Sequence, residues 1–451
     1  MQRRVYATRL AVAAIMACVL AACRTPDTTT PARQAAPTAR PQSAASSARP
    51  TVLATALPDE PIAQTQPTPI PGCTFPLPQA APPVGAPPPL AAYHFTEPRV
   101  VQTEGLPRVS EWLPDNRQLL LTQKVSNPPR SALDLFAVDT GAFTRFGTIS
   151  AAFNRPHWLA AQQAIAVAVP IFQGEQMSGA ALQLVAADGS MRELAPALEN
   201  PFVVPTPNRR GMTILTLQQP GQPLVLAADG NAAPVALPSI ARTAAEAAPH
   251  AANTPYWLDP WLTPRFVWRP DGSRLLAYTQ DTILLLNPAT QERCTLDLGG
   301  SDRRQRWALE AHWSLDGHYL ALNTALDRER GSIQTTDVVI IDTLNGYNTQ
   351  LNLPFTLNKG FVWMPNSKQL LILGKTGTTS IGAGQAQLFL ADLDTQQTLS
   401  IFPKQFFGFF SYESDDGVMS LSSDGHVLAL QCLVPDKSNQ KDICVVDITI
   451  R

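Results

Sequence analysis

Three side chains have the types and positions that acid–base chemistry needs. Glu111, His157 and His312 each stand directly before a tryptophan. A carboxylate and two imidazoles that meet at one point can pass a proton or hold a metal ion. Neighbouring residues of a strand point to opposite faces, so each of the three faces away from its tryptophan. A hydrogen-bonded histidine between neighbouring structural units is the other interpretation, and both stay open at this point.

No recognised catalytic motif accompanies these residues. The chain has only 6 His. It contains no GxSxG nucleophile elbow, no P-loop and no glycine-rich nucleotide fingerprint. The CxxC and HxxxH spacings that zinc sites use do not occur. The sequence therefore predicts no catalytic residues, no cofactor and no metal.

Two clusters are candidates for binding. Tyr256, Trp257 and Trp261 follow an alanine-rich stretch, 241–252, and their rings could stack on a sugar or pack against a peptide. Packing of this inserted loop onto the domain is the alternative. A basic patch is the second cluster, and it could meet an acidic polymer or headgroup unless it is simply a solvated loop. Its candidate residues are Arg303, Arg304 and Trp307.

A repeat of about fifty residues must position these side chains. Each copy begins with an anchor residue and reaches an apolar strand seven positions after it. Five copies have a Pro-Asp-Gly-like turn between the two, and the copies at Trp158 and Pro205 are degenerate. A second apolar strand follows in each copy and ends in Asp or Asn. The anchors are Trp112, Trp158, Pro205, Trp268, Trp313, Trp363 and Leu421.

Short apolar runs separated by Gly, Pro, Asn and Asp are typical of strands joined by tight turns. Two turn-linked strand pairs in each repeat make a four-stranded sheet. Radial repetition of such sheets protects their edges. The sequence therefore predicts an all-β fold, a seven-bladed β-propeller of four-stranded antiparallel blades over residues 93–451.

The repeat resembles that of the TolB-like, WD-repeat-like bacterial propellers. Copies such as Trp268-Arg269-Pro270-Asp271-Gly272 carry the resemblance, which covers residues 105–451. The family arrangement implies that the last blade lacks its outer strand, because the chain stops soon after Asp447. Residues 93–102, which include the β-prone Arg99-Val100-Val101, are then expected to supply that strand and close the ring.

The N-terminus has the features of an export signal. Arg3, Arg4 and Arg9 precede an apolar run that is too short to span a membrane comfortably. The run ends in Leu20-Ala21-Ala22-Cys23, which resembles the bacterial lipobox. The resemblance implies a signal peptide over 1–22 and a Cys23 whose acyl chains anchor the protein to a lipid membrane. The expected location is the cell membrane or the outer membrane, facing the periplasm or the cell exterior.

Residues 23–92 are predicted to be a disordered tether. Residues 24–92 hold 17 of the 42 Pro, and Pro removes backbone donors and fixes φ. Such a stretch extends as polyproline II rather than packing into a core. The segment around Cys73 is the expected exception, because a Cys and an aromatic residue there indicate local docking.

The remaining cysteines are candidates for disulfides. The chain has 6 Cys, of which Cys18 lies in the signal and Cys23 is expected to be lipidated. The four that remain form an even set in an exported chain. Cys432 and Cys444 bracket a loop of the last repeat, which favours their pairing. Elimination then pairs Cys73 with Cys294, and buried free thiols are the alternative.

The charge balance excludes one class of partner. The chain has 34 Lys+Arg, 36 Asp+Glu and a formal net charge of −2, which gives no electrostatic reason to bind nucleic acid. The favoured interpretation is a membrane-anchored, non-catalytic propeller that binds a protein, a peptide or an envelope glycan. The alternative is a propeller-based glycan lyase or hydrolase with an axial acid/base or metal site. Clustering of Glu111, His157 and His312 would favour that alternative.

Overall fold

A computed structural model describes most of the chain from residue 86 onward and two short pieces before it. Among the residues described, no helix has the length and hydropathy needed to cross a bilayer. The described residues are 68–69, 73, 86–125, 130–150, 155–173, 176–198, 202–205, 211–215, 224–227, 232–234, 265–278, 283–287, 289–290, 292–296, 300–301, 304–326, 336–355, 357–375, 384–402, 407–409, 418–433 and 441–451.

The described strands form antiparallel sheets that follow one another along the chain, numbered 1 to 7 below. Before sheet 1 come β1 (Thr68–Pro69), a 3-10 turn (Leu90–Ala92), β2 (Tyr93–Phe95) and β3 (Arg99–Val101). Sheet 1 contains β4 (Leu106–Trp112), β5 (Gln118–Val125), β6 (Arg130–Ala137) and β7 (Ala142–Ile149). Sheet 2 contains β8 (His157–Leu159), β9 (Ala164–Gln173), β10 (Gln176–Ala186) and β11 (Met191–Leu198). Sheet 3 contains β12 (Phe202–Pro205), β13 (Gly211–Leu215), β14 (Leu224–Ala227) and β15 (Ala232–Pro234).

Sheets 4 to 7 repeat the same order. They contain β16 (Arg265–Trp268), β17 (Leu275–Tyr278), β18 (Ile283–Leu286) and β19 (Arg293–Thr295); β20 (Gly300–Ser301), β21 (Arg304–Trp313), β22 (Tyr319–Leu326), β23 (Thr336–Asp342) and β24 (Tyr347–Gln350); β25 (Leu357–Trp363), β26 (Gln369–Lys375), β27 (Gly384–Asp392), β28 (Thr398–Ser400) and β29 (Phe407–Phe409); and β30 (Met419–Leu421), β31 (Val427–Leu433) and β32 (Lys441–Ile450).

The all-β propeller of four-stranded antiparallel blades is confirmed. The sequence predicts seven blades. The structure describes six sheets with most of their side chains, and these are sheets 1, 2 and 4 to 7. In sheet 3 the structure describes the backbone pairing and one side chain, that of the buried Met212.

Burial explains why the second strands are almost continuously apolar. The first six residues of β26 are all buried, from Gln369 to Gly374. A strand that packs against neighbouring sheets on both faces has no solvent side, so it does not need to alternate with polar residues. The largest apolar cluster joins sheets 5, 6 and 7 through residues such as Ala321, Leu371 and Leu430.

The strand of each sheet that carries the anchor residue lies in the inner ring and is called the first strand below; in sheet 5 this is β21, which follows the two-residue β20. β4, β8, β12, β16, β21, β25 and β30 each contact the first strand of the next sheet, and β30 contacts β4 again. Their tryptophans also join neighbouring sheets. Trp112 Nε1 donates to Ser420 O at 3.0 Å, and Trp363 Nε1 donates to His312 O at 3.0 Å. Trp112 and Trp363 thus connect neighbouring sheets as well as filling the core.

The turns between first and second strands meet on one face, called the turn face below. Arg269 is wholly buried there, and burial lowers the pKa of its guanidinium. Hydrogen bonds between turns of neighbouring sheets include Arg269 Nε to Gly317 O (3.0 Å), Asp316 N to Ser367 Oγ (3.2 Å) and Ser423 N to Asn116 Oδ1 (2.8 Å).

Replacing Gly425 with Ala is expected to destabilise the protein by about 2–5 kcal/mol. Gly425 has φ 76°, and an added Cβ would lie 2.6 Å from Pro365 Cδ of the neighbouring turn. The left-handed conformation costs about 1–2 kcal/mol for a residue with a Cβ, and the clash adds about 1–3 kcal/mol. Gly141 has φ 71° with nothing within 4 Å of an added Cβ, so Gly141→Ala isolates the backbone cost. Equal shifts in the two chemical denaturation curves would contradict this account.

The N-terminal strands close the ring, as predicted. β2 and β3 both pair antiparallel with β32, the last strand of the chain. Thr96 N donates to Asp447 O at 3.0 Å between the two pairings. Both ends of the propeller therefore meet in sheet 7.

Described pieces of the predicted tether are attached to the propeller rather than free of it. Thr68 and Pro69 pair with the outer strand β24 of sheet 5. Cys73 is bonded to Cys294 of sheet 4. Pro88 O accepts a hydrogen bond from Gln369 Nε2 at 2.8 Å. Local docking at Cys73 was expected, whereas these other contacts depend on partners far away in sequence. Residues 86–92 at the end of the predicted tether are also described and include the 3-10 turn Leu90–Ala92. For the remaining residues of 23–92 the predicted disorder lies outside the described part of the chain.

Stability is expected to fall between about pH 10 and pH 12 because of Tyr93. Its hydroxyl donates to Gln369 Oε1 at 2.7 Å, and burial raises its pKa to about 12. The unfolded phenol has a pKa of about 10, so the folded state disfavours ionisation. This contribution is present below pH 10 and is lost as the pH rises towards 12. The loss is at most about 3 kcal/mol at 1.36 kcal/mol per pKa unit.

Thermal melts of Tyr93→Phe across that pH range are the measurement. The variant is expected to be less stable at neutral pH by about 1 kcal/mol, because it leaves the Gln369 carbonyl without this donor. It should then lose less stability than the parent protein above pH 10. Tyr347→Phe is the control, since Tyr347 is 41% exposed. A Tyr93→Phe profile parallel to that of the parent would refute the role of this hydroxyl.

Candidate functional site

The first strands of the inner ring hold one carboxylate–imidazole pair between sheets 1 and 2. β4 has a register shift between Val109 and Glu111, which indicates a β-bulge at Ser110. A bulge changes the direction in which the following side chain points. Glu111 Oε2 lies 3.2 Å from His157 Nδ1, and Glu111 Oε1 accepts the backbone N–H of Trp158 at 2.5 Å. The carboxylate therefore links the first strands of the two sheets.

This arrangement fixes the orientation of the imidazole. Glu111 is 9% exposed, and the side chain of His157 is 13% exposed. A carboxylate at Nδ1 favours the tautomer that carries its proton there, which leaves Nε2 as the acceptor nitrogen. The pair can therefore orient a general base, as well as hold two sheets together.

A second carboxylate–imidazole pair lies on sheet 5. β21 has a register shift between Ala308 and Glu310, with Leu309 as the extra residue. Glu310 Oε1 lies 2.8 Å from His312 Nε2, and the His312 ring meets the Phe361 ring edge-on at 5.0 Å. Arg265 Nη1 of sheet 4 donates to Leu309 O at 2.6 Å. A bulge thus precedes the carboxylate in both pairs.

The structure brings two of the three axial candidates together and separates the third. Glu111 and His157 meet across neighbouring sheets. His312 lies on sheet 5, and its carboxylate partner is Glu310 on the same strand. Among the described residues, no group of three or more His, Cys, Asp or Glu is placed to hold a metal ion.

Most of the candidate binding residues lie outside the described part. Tyr256, Trp257, Trp261 and Arg303 are not described, nor is the lipidation candidate Cys23. The structure describes only the backbone of Arg304 and Trp307, which lie in the strand β21. For this basic patch the sequence left open a binding site or a solvated loop. In the structure, Arg304 and Trp307 belong to β21, a strand of the inner ring.

Both predicted disulfides are confirmed. Cys73 is bonded to Cys294, and Cys432 is bonded to Cys444. Cys432 and Cys444 are each 2% exposed and lie on the neighbouring strands β31 and β32. Cys73 and Cys294 lie at the edge of the cluster that joins sheets 4 and 5.

Sequence reasoning missed Glu310 and Arg265 as axial groups. Glu310 stands two residues before His312, so strand alternation places both side chains on one face. That spacing could have identified the second pair. Arg265 and Arg155 each stand three positions before an anchor tryptophan in their repeats. Their shared position in the repeat could have identified both arginines as residues of the inner ring.

No family model and no curated protein matches the chain. Solved structures similar to it include an oligogalacturonate lyase in complex with manganese, which is 11% identical with a TM-score of 0.51 over 86% of this chain and 99% of that chain. The oligogalacturonate lyase from Vibrio parahaemolyticus is 11% identical with a TM-score of 0.51, over 79% of this chain and 97% of that chain. TolB from Acinetobacter baumannii is 11% identical with a TM-score of 0.39, over 72% of this chain and 78% of that chain. The likeness to the two lyases is one of fold, and that to TolB is weaker and adds no argument.

Proposed function

We propose that this chain is an exported lipoprotein that presents a TolB-like, seven-bladed β-propeller as a non-catalytic binding module. Its ligand is a protein, a peptide or an envelope glycan. The seven sheets and the closed sequence of contacts between their first strands support a ring of seven blades. The lipobox-like Leu20-Ala21-Ala22-Cys23 supports export and anchoring through Cys23.

The two disulfides support an extracytoplasmic location. Four cysteines pair off completely as Cys73–Cys294 and Cys432–Cys444. Structural disulfides form and persist in oxidising compartments and are rare where glutathione keeps thiols reduced. An exported chain with a membrane anchor is consistent with both bonds.

One observation carries the non-catalytic interpretation. Both oxygens of the Glu111 carboxylate bond to sheet 2, one to the His157 ring and one to the Trp158 backbone. The first carboxylate of the axis therefore serves as a link between sheets. His312, which a catalytic cluster would need, lies with Glu310 on sheet 5. This use of the carboxylate supports a propeller that binds through its surfaces rather than one that catalyses a reaction at its axis.

Fractionation tests the anchor. The parent chain is expected in the membrane fraction with a labelled acyl chain, and Cys23→Ser in the soluble extracytoplasmic fraction without the label. Cys18→Ser, a cysteine inside the signal, is the matched control and should behave like the parent. A Cys23→Ser chain that stays membrane-bound would overturn the lipoprotein assignment.

A glycan lyase or hydrolase is the second candidate. The oriented His157 ring favours it, because a carboxylate at Nδ1 prepares Nε2 to accept a proton. The two structurally similar lyases are consistent with this candidate at the level of fold. Incubation with acidic and neutral oligosaccharides separates the two functions. Products that disappear with His157→Gln would establish the enzyme, and intact oligosaccharides would leave the binding module.

A further inference from the structure

A short piece of the Pro-rich segment is attached to two neighbouring sheets. Thr68 and Pro69 pair with β24, the outer strand of sheet 5. Cys73 is bonded to Cys294 in β19, the outer strand of sheet 4. Pro69 and Cys73 are four residues apart in the chain, and four residues reach at most about 14 Å. Residues 68–73, called the clamp below, therefore limit how far the outer strands of sheets 4 and 5 can separate.

The boundary between sheets 4 and 5, called the seam below, is filled by apolar side chains of both sheets. Leu276 and Leu285 of sheet 4 belong to the same buried cluster as Leu320 of sheet 5. Cys73 and Cys294 are partly buried against this cluster. The disulfide of the clamp therefore lies at the edge of the seam, where it can affect how the two sheets pack.

The polar contacts of the seam are incomplete. Trp112 and Trp363 each donate their indole N–H to the backbone of a neighbouring sheet. Trp313, the anchor of sheet 5, is 6% exposed, and its Nε1 has no hydrogen-bond partner in the described part of the chain. Arg269 Nη2 of sheet 4 also lacks a partner there, and Arg269 Cζ lies 5.9 Å from the centre of the Trp313 ring. Buried donors without acceptors cost free energy, which the closed seam has to offset.

Other contacts keep the two sheets together at the inner ring and at the turn face. Arg265 Nη1 donates to Leu309 O at 2.6 Å, and Arg269 Nε donates to Gly317 O at 3.0 Å. Both hydrogen bonds cross the seam and are independent of the clamp. Release of the clamp is therefore expected to loosen the seam locally, from its outer edge, while the ring stays closed.

The two disulfides of the protein differ in their access to solvent. Cys73 and Cys294 are half-buried, whereas Cys432 and Cys444 are each 2% exposed. Thiol–disulfide exchange requires that the attacking thiolate reach a sulfur atom of the bond. A dithiol in solution is therefore expected to reduce the bond of the clamp before the buried bond.

We propose that residues 68–73 are a redox-sensitive clamp, which holds the seam closed while the Cys73–Cys294 bond is intact. In the switching step, a dithiol reductant gives two electrons and two protons to the bond, leaves thiols at Cys73 and Cys294, and is itself oxidised to a disulfide. The clamp is then attached to sheet 5 alone, through β1. This inference concerns the conformation of the propeller, so it depends neither on the proposed ligand nor on the membrane anchor.

Exchange of the indole N–H groups with deuterium, followed by NMR on the full chain, tests the proposal. The chain has 8 Trp, which are labelled with nitrogen-15 and assigned by single Trp→Phe variants. After partial reduction with dithiothreitol, exchange at Trp313 Nε1 is expected to be at least about tenfold faster, because the seam opens more often. Trp363 is the matched control, since its Nε1 donates to His312 O on the other side of sheet 5. Its exchange should change less than about twofold.

Unchanged exchange at Trp313, or equal acceleration at Trp313 and Trp363, would overturn the proposal. The second result would indicate a general loss of stability rather than an opening of the seam. Alkylation with iodoacetamide and peptide mass spectrometry identify which cysteines are reduced. Labelling of Cys73 and Cys294 alone supports the switch, and simultaneous labelling of Cys432 and Cys444 would overturn its selectivity.

A slack clamp separates this mechanism from an effect on the unfolded chain. Ten Gly and Ser residues inserted between Pro69 and Cys73 keep both attachments but remove the limit on separation. The loop that the disulfide closes is already 221 residues long, so ten more residues barely change its closure entropy. Exchange at Trp313 is nevertheless expected to be as fast as in the reduced protein. The same insertion within residues 24–60 is the control and should leave it unchanged. If the slack clamp behaved like the parent, the bond would act without spanning the seam, and the proposal would be overturned.

Discussion

A chain that lacks residues 93–102 is expected to lose more than about 4 kcal/mol of stability or to fail to fold. This segment contributes β2 and β3, which pair with β32 and complete sheet 7. Tyr93 is 8% exposed and Val101 is 6% exposed, and burial of such side chains contributes about 1.5–3 kcal/mol each. The deletion also exposes the edge of β32, whose backbone groups then lack partners.

Deletion of residues 24–60 is the matched control. It removes a longer, Pro-rich stretch, and the free energy of unfolding is expected to stay unchanged because such sequences do not pack. Denaturant titration of both deletions measures the difference. The control stops before Thr68, because Thr68 and Pro69 pair with β24. Similar losses for the two deletions would show that ring closure does not depend on residues 93–102.

The strands that close the ring, β2 and β3, could be predicted because the last repeat lacks an outer strand of its own. Every copy supplies an apolar strand that ends in Asp or Asn, and in the last copy this strand, β32, pairs with β2 and β3. Arg99–Val101 had the β-prone composition that identified this segment as the partner. Tight Asp-Gly turns also fix the register of each hairpin locally, so sequence alone located most strands.

The axial pairs were less predictable because they depend on bulges and on distance around the ring. A bulge inserts one residue against the partner strand, which short-range spacing does not reveal. Those at Ser110 and Leu309 determine where Glu111 and Glu310 point. Equivalent positions in neighbouring sheets meet, as Glu111 and His157 do, whereas His312 is three sheets further along the chain than His157.

The strand β1 was not predicted for a related reason. Only two residues, Thr68 and Pro69, pair with β24. A two-residue strand inside a Pro-rich stretch has no periodicity, and Pro69 has no backbone N–H to donate. Its partner is far away in sequence, so nothing local indicates the pairing. The nearby disulfide at Cys73 was the one signal that this stretch touches the domain.

Removal of the Cys73–Cys294 disulfide is expected to destabilise the protein more than removal of Cys432–Cys444. The two bonds join residues 221 and 12 positions apart. In the chain-entropy description, a cross-link restricts the unfolded state more when it closes a longer loop. The expected losses are about 5 kcal/mol for the long loop and about 3 kcal/mol for the short one. Denaturant unfolding of the two double Cys→Ala variants measures both.

Burial predicts the opposite order, which makes the comparison informative. Cys432 and Cys444 lie within the core at 2% exposure, whereas Cys73 and Cys294 are only partly buried at its edge. If lost packing dominated, the Cys432→Ala and Cys444→Ala pair would cost more. A larger loss for Cys73→Ala with Cys294→Ala therefore supports restriction of the unfolded chain as the main effect. It would also mean that a bond between the Pro-rich segment and sheet 4 stabilises the fold mainly through the unfolded chain rather than through its own packing.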